Sequence, residues 1–173
     1  MPLVQPFDGL TPKLGSEVFL AETATVIGDA TLGDGVSIWF NTVVRADVGW
    51  IRIGKRSNVQ DLTMIHVTGG VANTEIGEEV TIGHRVVIHG CRIEDGCLIG
   101  IGAVVLDGAV IGEGSVIGAG AVVTPGKKIP PRSLVLGCPA RVVRPANDEE
   151  ARMGREGAAR YVELARAYRA KEA

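Results

Sequence analysis

Aromatic residues make up only 4% of this 173-residue chain while glycine occurs 24 times, so large side chains are too scarce to fill an ordinary globular core. Thin layers cornered by glycine would need far fewer of them. Strong charge is missing as well: the formal net charge is −2, and no basic patch supplies the footprint of a nucleic-acid partner. No apolar run reaches the roughly 20 residues that a membrane-spanning helix requires, because Gly and Asp interrupt the longest stretches. The opening Met1-Pro-Leu-Val-Gln5 lacks the charged n-region of a secretory signal. Cysteine occurs three times, at Cys91, Cys97 and Cys138, and three thiols cannot all pair. That favours a reducing compartment, and together these absences point to a cytoplasmic protein of one domain's length.

What is present is a six-residue period. From Ile93 a branched apolar residue returns at Ile99, Val105, Ile111, Ile117, Val123, Ile129 and Val135, with glycine directly after it at Gly100, Gly112 and Gly118. The same phase runs through Leu32, Ile38 and Val44, through Ile53, Val59 and Ile65, and through Ile76, Ile82 and Ile88. A β-sandwich would alternate with period two. A sustained hexapeptide marks a parallel β-helix, in which each repeat is one short strand plus its corner.

All three histidines, His66, His84 and His89, fall inside the repeats. Imidazole is the commonest zinc ligand, and three protein ligands with one open position is the layout of a catalytic zinc site. The breaks in phase decide whether they meet. Val44 to Ile53 is nine residues, and Ile65 to Ile76 is eleven, the extra ones lying in the Gly-rich segment Val67 to Glu75. Read as corner loops, these insertions leave the rungs in register. With three hexapeptides per turn, Val44, Ile65 and Ile88 share a corner, and so do the residues after them, Arg45, His66 and His89. Adjacent rungs lie roughly 4.8 Å apart, which lets His66 and His89 share one metal. Val59 and Ile82 share another corner, so Asp61 and His84 form a second column on a different face. One chain then supplies two ligands and a neighbouring chain the third. A threefold homotrimer would join the two columns at each of its interfaces.

The strings Ile38-Trp39, Val44-Arg45-Ala-Asp47, Asn58-Val-Gln60-Asp61, Ile65-His66, Ile82-Gly83-His84 and His89-Gly90-Cys91 together resemble the γ-class carbonic anhydrases and their bacterial relatives, over about Phe7 to Arg144. The resemblance implies a left-handed β-helix, a homotrimer, and Zn2+ at each interface held by His66 and His89 of one subunit and His84 of the next. It implies inter-subunit ion pairs for Arg45, Asp47 and Asp61, contact of Gln60 with the zinc-bound solvent, and a place for Tyr161 near the active site. The implied reaction is the reversible hydration of carbon dioxide to bicarbonate, since zinc lowers the pKa of its water from about 15.7 to near 7. Fe2+ or Co2+ would also accept three histidines. The planar fork of Arg45 suits a carboxylate or the bicarbonate product. Cys91 reads as a small buried hydrophobe rather than a ligand.

One position departs from the resemblance. Active members of the class carry a glutamate directly after the Arg-x-Asp and another in an acidic loop after the first histidine, which ferry the proton away. Here the first position is Val48, and the short loop has Glu75 as its single acid. Three other activities fit the solenoid: acyl transfer from a CoA thioester with a histidine as general base, hydrolysis of a thioester at the same metal, or a metal-binding trimer without catalysis. Acyl transfer needs one histidine and leaves the other two, with Gln60 and Asp61, unexplained.

The solenoid is expected to occupy residues 1–145. Residues 146–173 form a helical segment packed on it, starting at Asn147-Asp-Glu-Glu150, with Tyr161, Leu164, Ala165 and Tyr168 as an apolar stripe. Gly154 and Gly157 predict a break between a short first helix and a longer second one.

Overall fold

The computed structural model describes residues 1–172, so Ala173, the last residue of the expected helical segment, lies outside the described residues. The chain winds as a left-handed parallel β-helix of about seven turns and ends in one α-helix, Asp148–Glu172. Each turn has three faces. Met64–His66, Val87–His89, Val104–Val105 and Val122–Val123 stack on the first. Thr74–Ile76, Arg92–Ile93, Val110–Ile111 and Lys128–Ile129 stack on the second. The third face runs from Phe19–Leu20 through Asn58–Val59 and Thr81–Ile82 to Ser133–Leu136, where the antiparallel strand Arg141–Pro145 closes it. Two long strands, Thr25–Leu32 and Val43–Ile53, turn the corner from the first face to the second without interruption.

The hexapeptide fixes what points inward. Its branched residue is fully buried in every rung, as at Ile65, Ile82, Ile88, Ile99 and Ile117. Each such residue stabilises the fold by about 1.5–3 kcal/mol. Two positions earlier a small residue also faces the axis, and Cys97, Ser115 and Ser133 take that place on the third face. Cys91 is buried beside Ala109 in the same role on the second, and burial pushes its thiol up to about 12, so it stays protonated. All three cysteines are free thiols.

Corners need a left-handed residue. In later turns glycine supplies it, as at Gly102 (φ 68), but Leu62 (φ 63) and Arg85 (φ 58) carry it directly after Asp61 and His84. A non-glycine residue pays roughly 1–2 kcal/mol there. Both insertions lie at corners, as the phase requires. Against Thr25–Leu32, the strand Val43–Ile53 has three extra residues between Ala46 and Ile51, while Thr68 and Ala72 close the longer loop.

The C-terminal helix starts with reciprocal capping: the Glu150 amide donates to Asn147 Oδ1 at 2.8 Å, and the Asn147 amide donates to Glu150 Oε2 at 2.9 Å. Paired Arg144 and that amide hold the Glu150 carboxyl down to about 2. From there the helix is continuous, and the expected break at Gly154 and Gly157 is absent. These glycines mark close approach instead: a Cβ on Gly154 would lie 2.1 Å from the Gly96 carbonyl oxygen, and one on Gly157 2.5 Å from Thr81 Oγ1. The buried seam is Ala151, Gly154, Ala158 and Ala165, with Tyr161 half-buried. Leu164 falls off it and is 43% exposed, so the expected stripe is corrected there; small side chains make the close contact with the third face. Along its second half Tyr161 and Tyr168 pack edge-on against Trp39, at 5.2 and 5.3 Å between ring centroids. Among the described residues no helix is long and apolar enough to cross a membrane.

Candidate metal centre

Parallel register puts His66 directly beside His89 at the end of the first face, with Val44 beside Ile65 and Ile65 beside Ile88. The two rings meet edge to face, 5.1 Å between centroids, and His66 Nδ1 lies 3.1 Å from His89 Nε2. Each ring has its own carboxylate on the opposite nitrogen. His66 Nε2 is 3.0 Å from Asp47 Oδ1, and His89 Nδ1 is 2.6 Å from Asp107 Oδ1. An ionised carboxylate only accepts, so each of those nitrogens carries the proton. In the neutral rings this leaves His66 Nδ1 and His89 Nε2 as the nitrogens without a proton, and these are the two that lie together.

Both carboxylates are braced in turn. Asp47 pairs with Arg45 of its own chain, and Thr68 Oγ1 donates to Asp107 Oδ2 at 2.6 Å. Partial burial opposes ionisation of Asp47, yet its bonds to His66 and Arg45 hold it below the usual carboxylate value. Thr68 and His89 do the same for Asp107. Neither Asp107 nor Thr68 stands out in the sequence as a site residue. The available signal was weak: Asp107 lies one rung on from Gly90, and Thr68 is 39 residues away in a corner loop.

His84 sits apart, at the corner after the third face, where Ile82 pairs with Val59 and so puts His84 beside Asp61. Its Nδ1 is 2.9 Å from Asp61 Oδ2, and its side chain is 42% exposed. Among the described residues no group of three His, Cys, Asp or Glu is placed to hold a metal within the single chain.

Gln60 lies next to Asp61 and is buried. Its Nε2 donates to Asn58 Oδ1, Asn58 Nδ2 donates to Thr81 Oγ1, and Thr81 Oγ1 donates to the Gly154 carbonyl, at 3.1, 3.0 and 2.8 Å. This chain of bonds uses the Gln60 amide nitrogen and leaves its side-chain oxygen as an acceptor, while its backbone carbonyl accepts from Thr42 Oγ1 at 2.8 Å. Gln60 and Tyr161 border a groove of about 390 Å³ between the third face and the helix. Burial and the nearby Asp61 charge push the Tyr161 hydroxyl up, which keeps it a donor.

A model of bacterial transferase hexapeptide repeats (six repeats) matches residues 90–125. A Methanocaldococcus jannaschii protein named "Probable carbonic anhydrase" is 53% identical over 151 residues, 87% of this chain and 94% of that protein. "Gamma carbonic anhydrase 1, mitochondrial" of Arabidopsis thaliana is 41% identical over 99% of this chain and 64% of its own length. The chain belongs to the γ-class carbonic anhydrase-like family of hexapeptide-repeat proteins. A solved structure from Anaplasma phagocytophilum, described as a hexapeptide transferase family protein, superposes with a TM-score of 0.92 at 37% identity, covering 96% of this chain and 98% of that one.

For a γ-class carbonic anhydrase-like chain the implied metal can be tested against the donors present, and they fit. Two nitrogens at about 2.0–2.1 Å from one tetrahedral ion stand about 3.3 Å apart. The bare nitrogens of His66 and His89, at 3.1 Å, come close to that spacing, and a carboxylate behind each ring is the usual support of a ligating imidazole. Of the two acids that the resemblance implies for a proton path, one is missing and the other faces elsewhere. Val48 is exposed beside Asp47, and Glu75 turns to the second face, 3.8 Å from Arg92 Nε in a depression shared with Glu94, Asp95 and Glu113.

Proposed function

We propose that this protein is a γ-carbonic anhydrase-like zinc enzyme that hydrates carbon dioxide reversibly to bicarbonate, as a homotrimer with its metal sites between subunits. The observation that carries the proposal is the approach of two imidazole nitrogens, His66 Nδ1 and His89 Nε2, to 3.1 Å, with a carboxylate on the opposite nitrogen of each ring. His66 and His89 would hold the metal, and His84 of a neighbouring copy would complete the set, oriented by its own Asp61. Bound there, zinc supplies a water acidic enough to ionise near neutral pH. The chain's own residues do the rest. The side-chain carbonyl of Gln60, whose amide nitrogen is held by Asn58, would accept a hydrogen bond from the attacking oxygen and orient it, and the Arg45 guanidinium, 38% exposed beside Asp47, would offer donors to the bicarbonate product. Tyr161 donates from the groove side.

Metal content by mass spectrometry, paired with stopped-flow carbon dioxide hydration, tests this. The wild type should carry zinc, or iron or cobalt in its place, and hydrate carbon dioxide. His66→Ala, His84→Ala and His89→Ala should each lose most metal and activity. If all three retain metal at wild-type stoichiometry, the site is misassigned. The name of the matching repeat model favours a second reading, acyl transfer from a CoA thioester; a protein without hydratase activity that turns over acetyl-CoA would support it.

A further inference from the structure

The Asp107 carboxylate reaches His89 through a gap that the fold leaves open for it. Gly90 turns the corner directly after His89 at φ 55, and a Cβ there would stand 2.3 Å from Asp107 Oδ1, 3.0 Å from its Cγ and 2.8 Å from Ala72 Cβ. Glycine therefore does two things at this corner: it takes the left-handed conformation and it vacates the path of the carboxylate. From the other side the corner loop presses in. Thr68 and Ala72 exchange backbone hydrogen bonds of 3.0 and 2.9 Å, which fixes the Thr68 backbone, and its hydroxyl donates to Asp107 Oδ2 at 2.6 Å. Both oxygens of Asp107 are thus committed, one to the loop and one to the ring, with the second 2.6 Å from His89 Nδ1.

We infer that Asp107, braced by Thr68, is a positioning residue that sets the ring tautomer and orientation of His89 and so the metal affinity of the His66–His89 pair. The effect on affinity rests on the reading of His89 as a metal ligand; the effect on the tautomer does not. The physical reason is one of competition. A free imidazole exchanges its proton between two nitrogens and rotates, and either change removes the lone pair from the point it shares with His66. A carboxylate on Nδ1 keeps the proton there and raises the donor strength of Nε2. Asp47 and Arg45 serve His66 in the same way from a single strand, whereas His89 depends on a loop inserted 39 residues before its carboxylate. The corner insertion after His66 is then part of the site's construction.

The test is nitrogen–proton NMR of the histidine rings in metal-free protein, together with zinc affinity measured by chelator competition. In the wild type His89 should carry its proton on Nδ1. Asp107→Ala should release that tautomer and weaken zinc binding by about 10–100-fold, the range seen when supporting partners of ligands are removed. Thr68→Val, which leaves the carboxylate but removes its brace, should weaken binding by a smaller factor, and Thr68→Ser should restore the wild-type value. Finding His89 protonated on Nε2 in the wild type, or a wild-type tautomer and affinity in folded Asp107→Ala, overturns the inference. A wild type that binds no zinc would sink the proposed function while the tautomer measurement still decides this one.

Discussion

A neutral imidazole has one nitrogen that donates and one that accepts, and at this site a carboxylate decides which is which. Asp47 takes the Nε2 side of His66 and Asp107 the Nδ1 side of His89, so the rings meet through unlike nitrogens across one rung spacing. What surrounds this pair lacks a proton acceptor in the expected place. Val48 is 51% exposed next to Asp47, where active members of the family carry a glutamate, and Glu75 is engaged with Arg92 on another face. The wild-type hydration rate should therefore rise with the concentration of a small imidazole buffer. Val48→Glu should raise the rate at low buffer and flatten that dependence, because a carboxylate fixed at the site accepts the proton in place of buffer. Stopped-flow traces at several buffer concentrations check this, and a wild-type rate already high and indifferent to buffer counts against it. At this scale the sequence made the histidine columns legible, because a period of six fixes which residues stand above one another. It did not reveal the partners: Asp107 is one residue off the His66–His89 column, and Thr68 reaches it only through the path of an irregular loop.

Elements were legible where the period was strict and misleading where a glycine had two explanations. Branched residues every six positions predicted the rungs and their buried axis, and insertions of known length predicted the corners. Gly154 and Gly157 read as helix breakers because glycine costs a helix about 1 kcal/mol relative to Ala. In the fold they are the residues that let Asp148–Glu172 lie against the third face, and only the tertiary contact shows it. Gly154→Ala separates the two roles. If glycine were a weak point of the helix, Ala would stabilise by about that amount. The added Cβ would instead stand 2.1 Å from the Gly96 oxygen and 2.5 Å from that of Cys97, backbone atoms that cannot swing aside. Overpacking of this kind costs typically ~1–3 kcal/mol. The variant should unfold at lower denaturant concentration than the wild type, with disturbance of the Thr81 bond to the Gly154 carbonyl that anchors the Gln60 chain. Equal or greater stability would show that the helix rests loosely on its face.

For the whole molecule, the placement of His84 on a separate corner has a countable consequence. Under the proposed trimer each site joins the His66–His89 pair of one subunit to the His84 of the next, so a chain carrying His84→Ala and a chain carrying His66→Ala each spoil every site when alone. Mixed, they complement. Around a closed threefold ring, any trimer that contains both chains has one interface, and no more, at which an intact pair meets an intact His84. Random assembly from equal amounts restores about a quarter of all sites. Metal content and hydration rate should recover to about that fraction after the two variants are unfolded and refolded together, with mixed trimers verified by a mass tag on one chain. Pairing His66→Ala with His89→Ala is the internal control, since both residues stand in one column of one subunit and no mixed interface can regain the pair. Recovery in the control as great as in the test mixture, or none in trimers shown to be mixed, would mean that the ligands are not divided between subunits in this way.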